Sequence, residues 1–457
     1  MKGLTVENIN RVCQGCYHGP DDILKTEVTA ISTDSRKIEA GSLYVPIVGA
    51  RVDGHSFIGD VMEKGALLTL SEKDLGEVSF PWIQVASSLQ AVKDIAEEYL
   101  KILKVPVVGI SGSVGKTSTK EMIASILEVR FNVLKTLGNF NNELGLPLTV
   151  FRLRPEHEIA VLEMGISDFG EMTRLARIAR PKVGVITNIG WCHLEFLKSR
   201  DGIFKAKTEM LDFIQPGGSI IVNGDDDKLC QLKSTHGIEP TFFGLSEDYP
   251  VWADEIEHLG LKGMRCRIHA YGETADVTIP LPGQHMVYNA LCGTAVGHAF
   301  GMKLSEICRG IENLQSLSGR FNILDLSDKT VIDDCYNANP VSMKASLEVL
   351  QMGSGRKVAI LGDMGELGSD EVSLHEEVGS FINGLDIDVL YTVGKLTKSL
   401  SEKADKPELK KEHFENLDAF MAVLSEKVKA GDTILVKASH FMAFENIVEA
   451  LKKMDEK

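Results

Sequence analysis

The sequence VPVVGISGSVGKTSTKEMIASILE, residues 105 to 128, joins an apolar run to a glycine-containing loop and then to a helical pattern. The β-branched residues at positions 105 to 110 predict a buried strand, and the apolar positions from Met122 to Leu127 predict a helix that begins at Thr117. Such a loop presents backbone N–H groups and the positive end of a helix to an anion. Lys116 adds a charge there, and the Thr117 hydroxyl can reach Mg²⁺. The stretch therefore predicts an ATP-type phosphate site.

This loop departs from the general P-loop pattern, because Ile110 stands where that pattern has its first glycine. The alternative interpretation is a tight strand-to-helix turn with a solvated lysine. The position between a predicted strand and a predicted helix favours the phosphate site. The residues assigned to the nucleotide here are Gly112, Ser113, Gly115, Lys116, Thr117 and Ser118.

Length and composition predict an enzyme of several domains. A chain of 457 residues suggests about three domains, and 44% hydrophobic with 25% charged residues is typical of a soluble globular protein. The net charge of −16 argues against a general nucleic-acid binder. No apolar run approaches the roughly 20 residues of a membrane helix, and the N-terminus lacks the apolar segment of a signal peptide. We therefore expect a cytoplasmic protein without a membrane span.

The eight cysteines are scattered along the chain. Cys13 and Cys16 form a CxxC motif, but no second pair follows at zinc-site spacing. We expect neither a zinc site nor disulfide bonds.

Three units are predicted, spanning residues 1–83, 84–318 and 319–457. In the second and third units strands alternate with helices, which predicts α/β folds with mostly parallel sheets. The predicted strands are 28–31 and 43–47 in the first unit, 105–110, 159–164, 183–189 and 219–223 in the second, and 330–332, 357–361, 388–393 and 433–436 in the third. The predicted helices include 88–103, 341–351, 371–383, 417–428 and 444–452.

Polar residues follow several strands of the second unit. Glu163, Asn188 and Asn223 each come at the end of an apolar run, and ligands of parallel sheets bind at the carboxyl ends of strands. Glu163 is accordingly a candidate Mg²⁺ ligand, with a helix cap or turn as the alternative. His193 lies just past a strand on the same predicted sheet edge, which favours a functional role over a structural one.

Other candidates stay open at this point. Lys205 and Lys207 begin or lie near a helix, and their spacing favours a solvated helix face. Asn289, in a predicted helix, can hydrogen-bond a base or make a packing contact. The segment from residue 32 to 58, rich in Ser, Asp, Arg and Gly, is equally consistent with a sugar- or nucleotide-binding loop and with surface turns.

The motifs taken together resemble the Mur ligases, the ATP-dependent amino-acid ligases of peptidoglycan precursor synthesis. The resemblance covers nearly the whole chain and is greatest to the member that adds D-alanyl-D-alanine. A further Mur-type or folylpolyglutamate-type ligase, and a regulatory ATPase that forms no bond, are the alternatives. The motifs that carry it are GSVGKTSTKEM, LGNFNNELGLPLT, LEMGIS, TNIGWCHLEFLKSRDGIFKAKTEML, NALCGTA, GRFN, DDCYNANP and LGDMGELG, in this order.

The resemblance implies a fold and a reaction. The fold has an N-terminal uridine-diphosphate substrate domain, a central ATPase and a C-terminal Rossmann-like domain. The reaction converts the terminal carboxylate of UDP-N-acetylmuramoyl-tripeptide to an acyl phosphate with ATP, and the amine of D-alanyl-D-alanine then attacks. We expect the chain to act as a monomer.

The resemblance also implies roles for individual residues. Lys116 would hold the β- and γ-phosphates, Thr117 and Glu163 would bind Mg²⁺, and His193 would serve a second metal. Lys207 matches a lysine that is carbamylated in the family, and a carbamate supplies the anionic oxygen that Mg²⁺ prefers. These residues are the expected catalytic and metal-binding set.

Further matches concern the nucleotide and the substrates. Asn289 would lie at adenine, while Arg320 and Asp334 of the third unit would reach phosphate and ribose as domains close. Val114, Ala438 and His440 depart from the common family pattern at their positions. The expected substrate-binding residues are Ser35, Arg36, Gly49, Asp53, His55, Asn141, Asn142, Asn337 and Asn339.

Overall fold

Three β-sheets, each flanked by helices, organise the chain in the computed structural model, which describes residues 1–49 and 52–455. Residues 50 and 51, within the predicted sugar- or nucleotide-binding loop, and the last two residues of the third predicted unit lie outside the described residues. Three sheets, mostly parallel, agree with the predicted α/β class. None of the helices in the described part of the chain is long and apolar enough to cross a membrane.

The first sheet has five short strands in the order β1-β5-β4-β3-β2. The strands predicted at 28–31 and 43–47 are shorter than expected, because residues on either side bond to loops: the Val28 N–H donates to the Leu4 carbonyl. The elements are α1 (Val6–Val12), β1 (Cys16–His18), β2 (Ile31–Ser32), β3 (Leu43–Tyr44), α2 (Ile58–Glu63), β4 (Leu68–Ser71), β5 (Trp82–Gln84) and α3 (Ser88–Leu103).

The second sheet has nine strands in the order β14-β13-β12-β11-β10-β9-β6-β8-β7. Its elements are β6 (Val107–Ser111), α4 (Lys116–Leu127), β7 (Val133–Lys135), α5 (Gly145–Val150), β8 (Ile159–Glu163), α6 (Glu171–Ala179), β9 (Val183–Ile186), α7 (Leu194–Leu197), α8 (Arg200–Thr208), β10 (Ser219–Asn223), β11 (Pro240–Gly244), β12 (Val251–His258), β13 (Met264–Ala270), β14 (Glu273–Ile279), α9 (Gln284–Ala299) and α10 (Leu304–Glu312).

The parallel strands β6, β8, β9 and β10 of this sheet correspond to predicted strands, whereas the parallel strands β7 and β11 and the far edge were not predicted. Strands β12, β13 and β14 form an antiparallel meander that extends the parallel sheet. Their residues alternate between buried and exposed, as in a sheet with one covered face. The prediction relied on continuous apolar runs and therefore passed over these strands.

The third sheet has six strands in the order β15-β16-β20-β17-β18-β19, parallel except for the β15–β16 pair. The helix predicted at 417–428 is two short helices, because Val423 leaves the helical region with ψ near 2°. The elements are β15 (Asn322–Asp325), β16 (Thr330–Asp333), α11 (Pro340–Leu350), β17 (Arg356–Gly362), α12 (Glu371–Ile382), β18 (Val389–Val393), α13 (Thr397–Lys403), β19 (Lys410–Phe414), α14 (Leu417–Met421), α15 (Leu424–Lys427), β20 (Asp432–Lys437) and α16 (Glu445–Asp455).

Helix α3 joins the first sheet to the second. Its predicted bounds are confirmed: the Ser87 hydroxyl caps its first turn, and Lys104 ends it in the left-handed region at φ 55°. Its buried face, with Val92 and Ile95, belongs to one hydrophobic cluster that runs from the first sheet into the second. The unit boundary at residue 84 stays a prediction.

Candidate active site

The phosphate loop, residues 111 to 117, connects β6, which lies between β9 and β8 in the nine-stranded sheet, to α4. Gly112 has φ 154°, and a Cβ there would lie 1.9 Å from Thr187 Oγ1. Gly115 stands at φ 80° as the N-cap of α4. Contact with Thr187 therefore excludes a side chain at Gly112, whereas at Gly115 the space is open and it is the left-handed backbone that favours glycine.

Residues 188 to 190, which follow β9, hold the phosphate loop in place through hydrogen bonds. Asn188 Oδ1 accepts from the Val114 N–H at 3.0 Å, and its Nδ2 donates to the Val114 carbonyl at 2.9 Å. The Ser113 hydroxyl donates to the Gly190 carbonyl at 3.1 Å and accepts from the Gly190 N–H at 2.9 Å. Because Val114 is held through its backbone, this bonding does not depend on its side chain. The polar end of β9 therefore supports the loop.

Thr117 and Glu163 meet at the mouth of the loop. Glu163 ends β8, the strand beside β6, and is 2% exposed. The Thr117 hydroxyl donates to Glu163 Oε2 at 2.9 Å, and Asn141 Nδ2 donates to Glu163 Oε1 at 2.8 Å. Lys116 Nζ donates to the Gly112 carbonyl at 2.8 Å. The carboxylate expected to bind Mg²⁺ thus lies against the hydroxyl expected to share that ion.

The two asparagines of the loop before α5 have different contacts. Asn141 reaches Glu163, whereas Asn142 Oδ1 accepts from the backbone N–H groups of Leu144 and Gly145 at 3.2 and 2.8 Å. Asn142 therefore stabilises the turn into α5, and Asn141 is the one that contacts the carboxylate.

Lys207, on α8, is fully buried, so the solvated helix face that its spacing favoured is wrong for this residue. Its Nζ has no hydrogen-bond partner among the described residues. Burial, together with the charge of Lys116, lowers the pKa of Lys207 to about 8. Lys205, two positions earlier, is exposed as predicted. An unpaired buried amine is costly and indicates that the side chain has a further partner or modification.

His193 lies directly before α7 in the left-handed region, at φ 50°. Its Nδ1 is 3.3 Å from Oε2 of Glu366, in the loop that follows β17 of the third sheet. Glu366 also has a positive φ, 61°. The contact with His193, aided by the charge of Lys116, lowers the pKa of Glu366. Loops that follow strands of the second and third sheets therefore contact each other through His193 and Glu366, two residues with a left-handed backbone. Glu366 was not among the predicted site residues.

The third sheet contributes a buried ion pair. Lys437 Nζ donates to Asp334 Oδ2 at 2.6 Å, and the Ser346 hydroxyl donates to the same oxygen at 2.7 Å. The Arg320 guanidinium lies 4.1 Å from the centre of the Tyr336 ring, a cation–π contact. Lys437 was not predicted, although it ends an apolar strand as Glu163 does.

Asn289 and His285 lie on α9, which covers α4. Asn289 Oδ1 accepts from the Thr119 hydroxyl at 2.8 Å, so the packing contact is present while the residue also lines the cavity. The His285 ring lies 4.7 Å from that of Phe321, and its Nε2 has no hydrogen-bond partner among the described residues. Burial lowers the pKa of His285 to about 4.

These groups surround one cavity of about 990 Å³. Gly112 and Lys207 are not among its lining residues. The predicted residues that line it are Ser113, Gly115, Lys116, Thr117, Ser118, Asn141, Asn142, Glu163, His193, Asn289, Arg320, Asp334, Asn337 and Asn339.

The predicted substrate residues of the first sheet lie outside this lining: Ser35, Arg36, Gly49, Asp53 and His55. Arg36 pairs with Asp34 and lowers the pKa of that carboxyl to about 2. Lys73 and His55 bond to Asp53 and lower its pKa. Both interpretations of this loop region stay open.

The chemistry of the donors fits Mg²⁺. Thr117 and Glu163 offer hard oxygen atoms, and Mg²⁺ is usually bound by one or two carboxylates together with substrate phosphates and water. Among residues 1–49 and 52–455, no three His, Cys, Asp or Glu side chains form a metal-binding cluster.

Comparison with known proteins matches this architecture along nearly the whole chain. The family descriptions that match are the Mur ligase family catalytic domain at residues 27–113, the Mur ligase middle domain at 110–297 and the Mur ligase glutamate ligase domain at 319–440. The chain is 36% identical to the UDP-N-acetylmuramoyl-tripeptide–D-alanyl-D-alanine ligase of Bacillus subtilis, over 98% of each chain.

Solved structures give the same result. A crystal structure of MurF from Acinetobacter baumannii superposes with a TM-score of 0.90 at 32% identity, covering 98% of both chains. MurF from Thermotoga maritima in complex with ADP superposes with a TM-score of 0.83 at 29% identity, covering 93% of this chain and 98% of that one.

Proposed function

The chain belongs to the Mur ligase family, and we propose that its cavity catalyses the ATP-dependent addition of D-alanyl-D-alanine to UDP-N-acetylmuramoyl-tripeptide in peptidoglycan synthesis. One observation carries the proposal: the phosphate loop, Glu163 and the third-sheet residues Arg320 and Asp334 line a single cavity. A ligase needs such a site, because ATP and two further substrates must meet in it.

The reaction proceeds in two steps. A carboxylate oxygen of the tripeptide attacks the γ-phosphorus of ATP, which forms an acyl phosphate and releases ADP. The neutral amine of D-alanyl-D-alanine then attacks the acyl carbon, and the bond from that carbon to the phosphate oxygen breaks as the amide forms. The nitrogen loses one proton in this step, and the departing phosphate can take it up. Both steps bring negative charge together, so positioned cations and backbone donors lower the barrier.

Residues of the phosphate loop supply much of that stabilisation. Lys116 and the N-terminal N–H groups of α4 face the β- and γ-phosphates. Thr117 and Glu163 would hold Mg²⁺, which neutralises the charge that develops on the transferred phosphoryl group. Asn141 donates to Glu163 and so fixes the direction of its second oxygen.

Lys207 is proposed to carry a carbamate. In this reaction the neutral amine attacks the carbon of CO₂, forms an N–C bond and loses one proton. The pKa of about 8 leaves a far larger neutral fraction at neutral pH than an ordinary lysine has. The buried Nζ without a partner supports this assignment, and the carbamate with His193 would serve a second Mg²⁺ at the substrate carboxylate.

The remaining assignments complete the proposal. Asn289 would contact adenine, Arg320 phosphate and Asp334 ribose. Ser35, Arg36, Gly49, Asp53, His55, Asn142, Asn337 and Asn339 are proposed to contact the substrates. We also propose that the enzyme acts as a monomer and in the cytoplasm.

Omission of single substrates tests the function. The protein is incubated with ATP, Mg²⁺ and UDP-N-acetylmuramoyl-tripeptide, with and without D-alanyl-D-alanine, and phosphate release is followed. We expect sustained release only when all components are present. Release at the same rate without the dipeptide would overturn the proposal and favour an ATPase.

A further inference from the structure

The amine substrate brings a charge that the cavity must receive. At neutral pH the amino group of D-alanyl-D-alanine is an ammonium ion. This cation must approach an acyl phosphate that lies beside Lys116, which is also a cation. A carboxylate near Lys116 would hold the ammonium close to the reacting carbon and offset this repulsion.

Five carboxylates line the cavity: Glu143, Glu163, Glu171, Asp334 and Glu366. Four have strong partners. Glu143 is bound by Lys93 and Arg174, Glu163 by Thr117 and Asn141, Asp334 by Lys437 and Ser346, and Glu171 by the backbone N–H groups of Ser167 and Asp168.

Glu171 also leaves one oxygen without a partner, but Glu366 is the one of the five that accepts no hydrogen bond from a backbone N–H, hydroxyl, amide, lysine or arginine within the described residues. Its Oε1 makes no hydrogen bond within the described residues, and its Oε2 has only the 3.3 Å contact with His193. Its side chain is 75% exposed, so a ligand can reach it without displacing a protein partner. It also lies near enough to Lys116 for the two charges to interact.

The backbone conformation of Glu366 and the packing of its loop fix the position of this carboxylate. Glu366 has φ 61°, in the left-handed region that residues with a side chain rarely adopt. The loop it belongs to touches α7 again at Gly368, whose Cβ position would lie 4.0 Å from the Glu195 nitrogen. The loop therefore packs against α7, and its residue Glu366 keeps one carboxylate oxygen, Oε1, without a hydrogen-bond partner among the described residues.

We propose that Glu366 binds the ammonium group of D-alanyl-D-alanine and, once that group has given up one proton to solvent, holds the neutral amine for attack on the acyl carbon of the acyl phosphate. This inference rests on the proposed function of the cavity. It assigns Glu366 as a substrate-binding residue of the second step, with no part in the first. The predicted residues Asn337 and Asn339 line the same cavity from the third sheet and are proposed to contact the rest of the dipeptide.

The test separates the second step from the first. Glu366→Gln removes the charge but keeps an oxygen that can contact His193. Hydroxylamine, which is largely uncharged at neutral pH, traps an acyl phosphate as a hydroxamate and needs no ammonium site. We expect Glu366→Gln to raise the KM for D-alanyl-D-alanine about tenfold or more, while hydroxamate formation stays within about twofold of the unmodified protein.

Two further variants serve as controls. Glu366→Asp keeps the charge and should recover part of the affinity for the dipeptide. Glu195→Gln makes the same change at an exposed glutamate of α7, close to the loop that carries Glu366. This variant should leave the KM for D-alanyl-D-alanine unchanged. Equal loss of dipeptide turnover and hydroxamate formation in Glu366→Gln would overturn the inference, because closure or phosphoryl transfer would then be impaired. An unchanged KM would overturn it as well. If the unmodified protein fails to use the dipeptide at all, the proposed function itself is wrong.

Discussion

The Thr117 hydroxyl donates to Glu163 Oε2 at 2.9 Å, although the two residues are 46 positions apart. This bond joins the first turn of α4 to the carboxyl end of the neighbouring strand β8. It turns a phosphate loop into a site that can also hold a divalent cation.

Glu163→Gln should lower the rate of ligation by about 100-fold, because the amide keeps the size of the side chain but gives up the charge that faces Mg²⁺. Steady-state phosphate release measured against Mg²⁺ concentration checks this, and the half-saturating Mg²⁺ concentration should rise. Glu128→Gln, at the far end of α4, is the matched control and should behave as the unmodified protein does. Unchanged Mg²⁺ dependence in Glu163→Gln would exclude Glu163 as a ligand.

Lys207→Ala should lower activity by about 100-fold, and short carboxylic acids should restore part of it by supplying the missing carboxylate. Lys205→Ala, on the exposed side of the same helix, should keep its activity. A ¹³C NMR signal of a carbamate should appear with labelled bicarbonate in the unmodified protein and be absent from the Lys207 variant. Full activity of Lys207→Ala would rule out the carbamate.

Lys437→Met should destabilise the protein by about 3 to 5 kcal/mol, because it leaves the buried Asp334 carboxylate without its cation. The double variant Lys437→Met with Asp334→Asn removes the stranded charge and should be more stable than the single variant. Urea unfolding of the unmodified protein, the single variants Lys437→Met and Asp334→Asn, and the double variant gives the coupling free energy directly. Equal stability of the single and double variants would show that the ion pair contributes little.

The lowered pKa of His285 predicts that the free energy of unfolding falls as the solution becomes acidic. The folded protein holds the pKa of His285 near 4, below the ordinary value of 6.5, so the unfolded chain takes up more protons between those pH values. From pH 8 to pH 5 this residue should cost about 2 kcal/mol of unfolding free energy, a loss that His285→Gln removes. Urea unfolding at both pH values measures it, with exposed His236→Gln as the control. If the unfolding free energies of His285→Gln and of the unmodified protein depend on pH in the same way, the loss in acid does not come from His285.

The sequence predicts those elements well whose signals are local. Helix α3 has an amphipathic face and a serine cap, and strands such as β10 are short apolar runs, so their bounds agree with prediction. The two-residue strands β2 and β3 depend on their neighbours in the sheet, and the meander β12 to β14 has an alternating pattern that apolar runs do not detect.

The site divides in the same way. Thr117 could be found because it directly follows the glycine loop, and Glu163 because it ends an apolar strand. The contacts of Asn188 with Val114 and of Lys437 with Asp334 join residues 74 and 103 positions apart, and no local pattern reports them. Glu366 reaches the cavity only through the approach of the third sheet to α7. Lys207 is a similar case: its burial, which lowers its pKa, cannot be read from its spacing along the helix.

The most direct test of the account follows oxygen from substrate to phosphate. UDP-N-acetylmuramoyl-tripeptide labelled with ¹⁸O in its terminal carboxylate is incubated with ATP, Mg²⁺ and D-alanyl-D-alanine, and the released phosphate is examined by mass spectrometry. Formation of an acyl phosphate predicts one ¹⁸O atom in each phosphate and one in the new amide. Phosphate released without ¹⁸O would contradict the account, because ATP would then have been hydrolysed by water.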